Sequence, residues 1–276
     1  MNPQTFFVDC NQAEFLYQKG LDGLDLLDRL STNSILGLSE KGIKTTIVTD
    51  EKGKIVDILN VWKINNEKLL LESSTSNIDK LVFWINKFTI EEDSELQKMK
   101  YYSKISIIGS DLQELHSFLP DLVSVKKGNF IDISIRSSKF LIGKHELFNG
   151  SESVDFICLD GVSSRVELKQ LVSDMNIPEI KQEEFELYRI KNLIPKSGKE
   201  ITDSYNPLDL GLERFIDFSK GCYVGQEVVA RLDTYNKVQN IMHMVKLDEI
   251  NSNMRGTKIT SLSGEYAIAI SKKKFI

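Results

Sequence analysis

Apolar and polar positions divide the chain into short segments of two kinds, alternating and helical. Phe6, Val8, Phe15 and Leu16 are spaced for one or two short strands over residues 5–17. Asp22 precedes Leu24, Leu27 and Leu30, with Asp25 three residues on, which predicts a helix with an acidic first turn. Ser31-Thr32-Asn33 closes it. Residues 45–50 and 54–64 are β-branched runs around Glu51-Lys52-Gly53, a hairpin signature. The second run is apolar on both faces and predicts a central strand. Val56, Ile58, Trp62 and Ile64 mark one face, Ile55, Leu59 and Val61 the other. Asp57 falls on that second face, where a carboxylate needs partners. It reads either as a functional group or as an aspartate hydrogen-bonded at a strand end or bulge.

A strand over 68–72 and a helix over 77–88 follow, the helix carrying a stripe of Ile78, Leu81, Val82, Ile85 and Phe88. Residues 101–109 and 130–136 read as strands. Between them Asp111 caps a helix with Leu112, Leu115 and Leu119, and His116 on the same face reads as a packed core histidine. Strands interleaved with two helices over 45–136 predict a split β-α-β unit of ferredoxin-like type. Gly143, Asn149 and Gly150 mark 137–152 as loop. Residues 154–159 form a strand with Cys158 in the core. Ser163-Ser164 opens a helix with Val166, Leu168 and Leu171, and 179–191 is a second helical pattern with Phe185 and Tyr188 inward, then Arg189. Short strands at 246–248, 258–261 and 265–270, with a Ser263-Gly264 turn, predict a small terminal sheet or partial barrel.

Composition is that of a folded chain: 276 residues, 41% hydrophobic and 27% charged, enough for two or three compact units. A net charge of −5 and a pI near 5.4 argue against a broad nucleic-acid footprint. Lys272, Lys273 and Lys274 read as a solvated tail. Cys10, Cys158 and Cys222 lie far apart, and His116, His145 and His243 complete a poor ligand set for zinc or an iron–sulfur cluster. No stretch approaches a membrane span, and no cationic region precedes the Phe6-Phe7-Val8 run, so the expected location is cytoplasmic.

Residues 220–227 read K-G-C-Y-V-G-Q-E and run into a helical Val228-Val229-Ala230-Arg231-Leu232. Gly221 and Gly225 permit a tight turn or a close backbone approach. A helix starting near Gly225 would offer unpaired N–H groups to an anion, with Gln226 and Glu227 in its first turn. Cys222 reads either as a reactive thiol ahead of that helix or as a small packed cysteine.

This string resembles the K-G-C-[FY]-x-G-Q-E signature of the YgfZ family, folate-binding relatives of the glycine-cleavage T-protein, and the match continues through Val229-Ala230-Arg231. The resemblance implies an α+β multi-domain fold around a central pocket. Its units would be a discontinuous folate-binding domain of 1–44 and 137–235, a ferredoxin-like domain of 45–136, and a small β domain of 236–276. Gly53-Lys54-Ile55-Val56-Asp57 matches the T-protein's Gly-x-Ile-x-Asp strand, whose Asp lies near the reactive pterin nitrogen. Thr32-Asn33 matches a Thr-Asn pair of both families, and Arg189 a helical Arg before an Ile-Pro turn, here Ile194-Pro195. Asp209 stands where T-proteins place a pterin-binding Glu, one methylene shorter.

The resemblance therefore implies tetrahydrofolate or a derivative in a pocket lined by Asp57, Arg189 and Asp209. Lys220 and Arg231 would meet its carboxylates, and Tyr223, Gln226 and Glu227 would complete the folate-binding set. It further implies an accessory role in assembling or repairing iron–sulfur clusters, including those of a tRNA-modifying enzyme, with iron–sulfur proteins or their assembly factors as partners and Cys222 as the reactive thiol. The alternative is a tetrahydrofolate-dependent aminomethyltransferase or other one-carbon transferase, in which Asp57 steers the pterin nitrogen. A third class is a fold that has lost its ligand and only binds proteins.

Overall fold

The computed structural model describes residues 5–10, 12–74, 78–109, 113–249 and 255–275. The expected positions Asn77, Asp111 and Leu112 lie outside them. Strands β1 (Thr5–Cys10) and β2 (Glu14–Lys19) lead into helix α1 (Gly23–Leu30), then β3 (Ile43–Thr49), β4 (Ile55–Asn65) and β5 (Lys68–Ser73). Helix α2 (Ile78–Phe88), β6 (Glu95–Lys98), β7 (Ser103–Gly109) and α3 (Gln113–Phe118) follow. Next come β8 (Asn129–Ile135), β9 (Ser138–Glu146), β10 (Glu152–Cys158), α4 (Val162–Asp174), α5 (Gln182–Lys191) and α6 (Gln226–Thr234). The hairpin-rich end is β11 (Asn240–Lys246), β12 (Thr257–Ser263) and β13 (Tyr266–Lys272).

These strands form three antiparallel sheets, ordered β1-β7-β10-β9-β8, β3-β4-β5-β2-β6 and β11-β13-β12. Strict alternation builds the first sheet. Phe7, Ile105, Ile107, Ile142, Val154 and Phe156 face α3 and α4 on one side. Leu16, Leu59, Val61, Leu69 and Leu71 of the second sheet likewise lie under α1 and α2. The remaining faces stack on one another, with Phe15, Tyr17, Trp62 and Leu70 meeting Phe130, Leu141 and Ile157. The mixed helix-and-sheet class read from the sequence is the class observed.

Several local expectations are corrected. Residues 137–152 are not a loop, because β9 fills most of them. Gly143 lies inside that strand since a Cβ there would come within 2.3 Å of Ile43 and 2.6 Å of Trp62. It admits the indole rather than breaking the strand. The strands of 45–136 do not make one ferredoxin-like sheet: β3 to β6 belong to the second sheet, β7 and β8 to the first. The apolar β2 inserts between β5 and β6, and β1 pairs with β7, so the sheets run across the expected boundaries at 44 and 136. A bulge opposite Val48 and Thr49 exchanges the faces of the first residues of β4. Val56 joins Leu59 and Val61, while Ile55 joins Ile58.

His116 is half-buried beside the Lys144 ammonium, and the buried histidine is His145. Asp22 does not cap α1 with its side chain; its carboxylate accepts the Asp93 N–H instead. The strand expected at 246–248 is the end of β11 followed by a 3-10 turn. The short β6, exposed except at the half-buried Leu96, has no apolar alternation to predict it.

Candidate functional site

Where the two large sheets stop packing against one another, a cavity opens between them, roofed by α5 and the loop after it. It has an outer compartment of 260 Å³ and an inner one of 170 Å³. Val8, Glu72, Lys104, Phe148, Phe185 and Ile194 line both. The walls are mainly apolar, but the floor is charged.

Lys104 on β7 reaches across the sheets, donating to Glu72 of β5 and, at 2.8 Å, to Asp155 of β10. Both His145 ring nitrogens face oxygens: Nε2 lies 2.6 Å from Asp155 Oδ2, and Nδ1 lies 3.2 Å from the Glu146 carbonyl. A doubly protonated imidazolium satisfies both. Burial alone would lower the His145 pKa, yet the Asp155 carboxylate raises it above the usual histidine value. Burial likewise works against the Lys104 ammonium, and Asp155 and Glu72 hold it well above the ordinary lysine range. Asp155 shows the reciprocal effect, held below the usual carboxylate range by Lys104 and His145 against its burial. Lys104 and His145 thus lie against the carboxyl groups of Glu72 and Asp155 at and just beneath the floor. Ser153 donates to Asp155, and Asn60 to Glu72 at 3.2 Å. Cys10, the cross-strand neighbour of Lys104, lines the same floor with its thiol pushed up by burial.

Of the residues singled out in the sequence, Arg189 lines the cavity. Its guanidinium is buried, forked onto Glu186, and donates to the Ile194 carbonyl, Glu200 at 3.2 Å and Ser261 at 2.5 Å. It thereby ties α5 to the following loop and to β12. Asp57 lies one layer back. By alternation its side chain shares the helix-facing side of β4 with Leu59 and Val61, and it accepts from Ser73 at 2.5 Å and Ser74 at 3.0 Å. Those two serines line the outer compartment, and Asp57 does not. Asp209 is buried in a capping box, accepting from Asn206, and also accepts from the Asn240 backbone and side chain at the start of β11.

The K-G-C-Y-V-G-Q-E residues assemble elsewhere, against the end of α1. Lys220 donates to the carbonyls of Asp28, Ser31 and Asn33 at 2.7, 2.9 and 3.0 Å, and pairs with the Asp28 carboxylate. A cation there answers the unpaired carbonyls of a helix C-terminus. Burial lowers the Lys220 pKa, with Asp28 opposing. Thr32 donates to the Phe215 carbonyl, so the Thr-Asn pair and the motif are parts of one joint. Gly225 begins α6 at φ 85°. Tyr223 is buried, its hydroxyl pushed up to about 12 by burial. Gln226 is half-buried, while Cys222, Glu227 and Arg231 are exposed. None of these motif residues lines either compartment.

Glu72, Lys104 and Asp155 are not among the candidates that the sequence offers, and His145 enters there only as a poor metal ligand. A signal was present for three of them: Leu69-Leu70-Leu71-Glu72, Lys104-Ile105-Ser106-Ile107 and Val154-Asp155-Phe156 each set a charge inside an apolar strand.

No protein-family model matches the chain. An aminomethyltransferase of Halalkalibacterium halodurans is 20% identical over 236 residues, covering 83% of this chain and 64% of that protein. A putative chloroplastic transferase of Arabidopsis thaliana is 26% identical over 241 residues, covering 84% and 54%. An aminomethyltransferase of Thermosipho melanesiensis is 23% identical over 216 residues, covering 77% and 59%. The chain thus spans between 54% and 64% of the length of these curated relatives. The crystal structure of the glycine cleavage system aminomethyltransferase T from Bartonella henselae shares the fold. It superposes with a TM-score of 0.80 at 13% identity, over 98% of this chain and 78% of that one. The chain is thus similar in sequence to proteins named aminomethyltransferase, and it has the fold of the glycine cleavage system aminomethyltransferase T.

Proposed function

We propose that this protein binds tetrahydrofolate, or a derivative, in the cavity between its two large sheets and acts as an aminomethyltransferase-like one-carbon transferase. The observation that carries the reading is the set of curated relatives named aminomethyltransferase. The cavity supports it, being a largely apolar slot with a polar floor of the kind that holds a planar heterocycle. Arg189 forms part of the wall. Asp57 acts through Ser73 and Ser74, holding their hydroxyls, and is a positioning residue in this scheme. Lys220 and Asp209 serve the framework, since carbonyls, Asp28 and the two asparagines already occupy them.

A second reading, the iron–sulfur accessory role, is favoured by one observation: Cys222 of the K-G-C-Y-V-G-Q-E string is a free, exposed thiol. Calorimetry with tetrahydrofolate and 5-formyltetrahydrofolate, followed by an assay of folate-dependent turnover with an aminomethylated donor, separates the two. Binding with turnover supports the transferase. Binding without turnover, coupled to a Cys222-dependent defect in iron–sulfur enzymes, supports the accessory role. Absence of binding defeats both.

A further inference from the structure

The cations that line the cavity differ in what already holds them. Lys104 is buried between Glu72 and Asp155. Arg189 is buried between Glu186 and Glu200. Lys196 is different. It stands on the loop over the outer compartment, its side chain is 46% exposed, and its ammonium meets Glu186 Oε2 at 3.1 Å. That oxygen also accepts from Arg189 Nε at 2.8 Å. Glu186 therefore keeps a buried guanidinium partner when Lys196 turns away. Arg189 and Lys196 together hold its pKa below the usual carboxylate value against its burial. An ion pair with so exposed a cation contributes little to stability, so a competing anion can capture the ammonium at low cost. The Lys196 backbone is meanwhile fixed, its N–H donating to the buried Glu200 at 3.0 Å. The base of the side chain is anchored and the rest of it reaches toward solvent. Gln12, Gln182 and Ser197 supply further polar groups around the outer compartment.

We infer that Lys196 is the specificity-determining contact for an anionic tail. The cavity would take a ligand with an uncharged planar body between its apolar walls and a carboxylate at its mouth, received by the Lys196 ammonium in exchange for Glu186. This rests on the folate reading, because folates carry such a glutamate tail. It adds the residue that recognises the tail.

The test compares 5-formyltetrahydrofolate with the 5-formyltetrahydropteroyl amide, in which NH2 replaces the glutamate and no carboxylate remains, by calorimetry on wild type, Lys196→Ala and Lys196→Arg. The expected result is a five- to tenfold weaker Kd for the glutamate form in Lys196→Ala. Lys196→Arg should restore most of it, and the loss should shrink at high salt. The amide form should bind all three proteins alike. Equal Kd of the glutamate form in wild type and Lys196→Ala overturns the inference while leaving the folate reading standing. An equal loss for both forms also overturns it, since that pattern is structural. If wild type binds neither form, the folate reading falls and the inference falls with it.

Discussion

Gly225 and Gly53 lie in backbone contact: a methyl group added to Gly225 would sit 3.0 Å from the Gly53 Cα and 2.4 Å from the Asp50 carbonyl oxygen. The turn of the β3–β4 hairpin is pressed onto the start of α6. Both glycines also have positive φ, at 85° and 67°. Gly225→Ala therefore combines a strained backbone with a steric clash, and a loss of about 2–4 kcal/mol is expected. Urea unfolding checks it. A change under 0.5 kcal/mol would show that the hairpin yields freely.

The Lys220 ammonium is held by three carbonyls and Asp28, with only 2% of its side chain exposed. Lys220→Met leaves a buried carboxylate and a helix end without their cation. The expected cost is about 3 kcal/mol, with folate affinity unchanged at temperatures where the variant is folded. Unchanged stability with weakened binding would instead make Lys220 a ligand contact.

His145 gives a stability profile with a definite sign. Its folded-state pKa is raised, so its contribution is complete below about pH 6.5 and is lost as pH rises through the folded value. Asp155 is shifted the other way, and its contribution disappears only in acid, as pH falls through its lowered value. Thermal melts of wild type should show stability declining above about pH 6.5, and His145→Gln should flatten that decline. Identical slopes in the two proteins would mean that the imidazolium is not what holds Asp155.

Cys158 is buried, Cys10 is intermediate and Cys222 is exposed. Ellman's reagent on native protein should label one thiol in a fast phase, and Cys222→Ser should abolish that phase. Persistence of the fast phase in the variant would place the accessible thiol elsewhere.

The framework was readable where a single period ran uninterrupted. The stripe of Ile78, Leu81 and Ile85 is the buried side of α2, and the hairpin around Gly53 stands where β-branched runs meet a turn. Reading failed where tertiary contact reversed a local cue. Gly143 has the look of a breaker, but Trp62 needs the space a side chain would fill. The bulge in β4 moves Val56 to the opposite face, which no alternation count foresees. The candidate site was legible mainly through Arg189. Asp57 stands out in its strand as a carboxylate needing partners, and Ser73 and Ser74 are among them. The charged floor was missed because Glu72, Lys104 and Asp155 are separated in sequence and become a group only when two sheets stack. Lys220 shows the converse: a motif lysine that suggests an anion contact is engaged by the carbonyls at the end of α1.

The joint between α1 and residues 215–225 also sets an order of events. Its hydrogen bonds connect positions 187, 189 and 192 residues apart through Lys220, and 183 through Thr32. Contacts of such long range form late, because the loop they close must first be gathered. During synthesis α1 emerges early, yet its last carbonyls and Asp28 wait for Lys220 until most of the chain has been made. In the interval that helix end depends on water. The K-G-C segment is thus a latch that closes the molecule from its far end, and pulse-labelled hydrogen exchange should find the amide of Val224, bonded to the Arg29 carbonyl, among the last to gain protection.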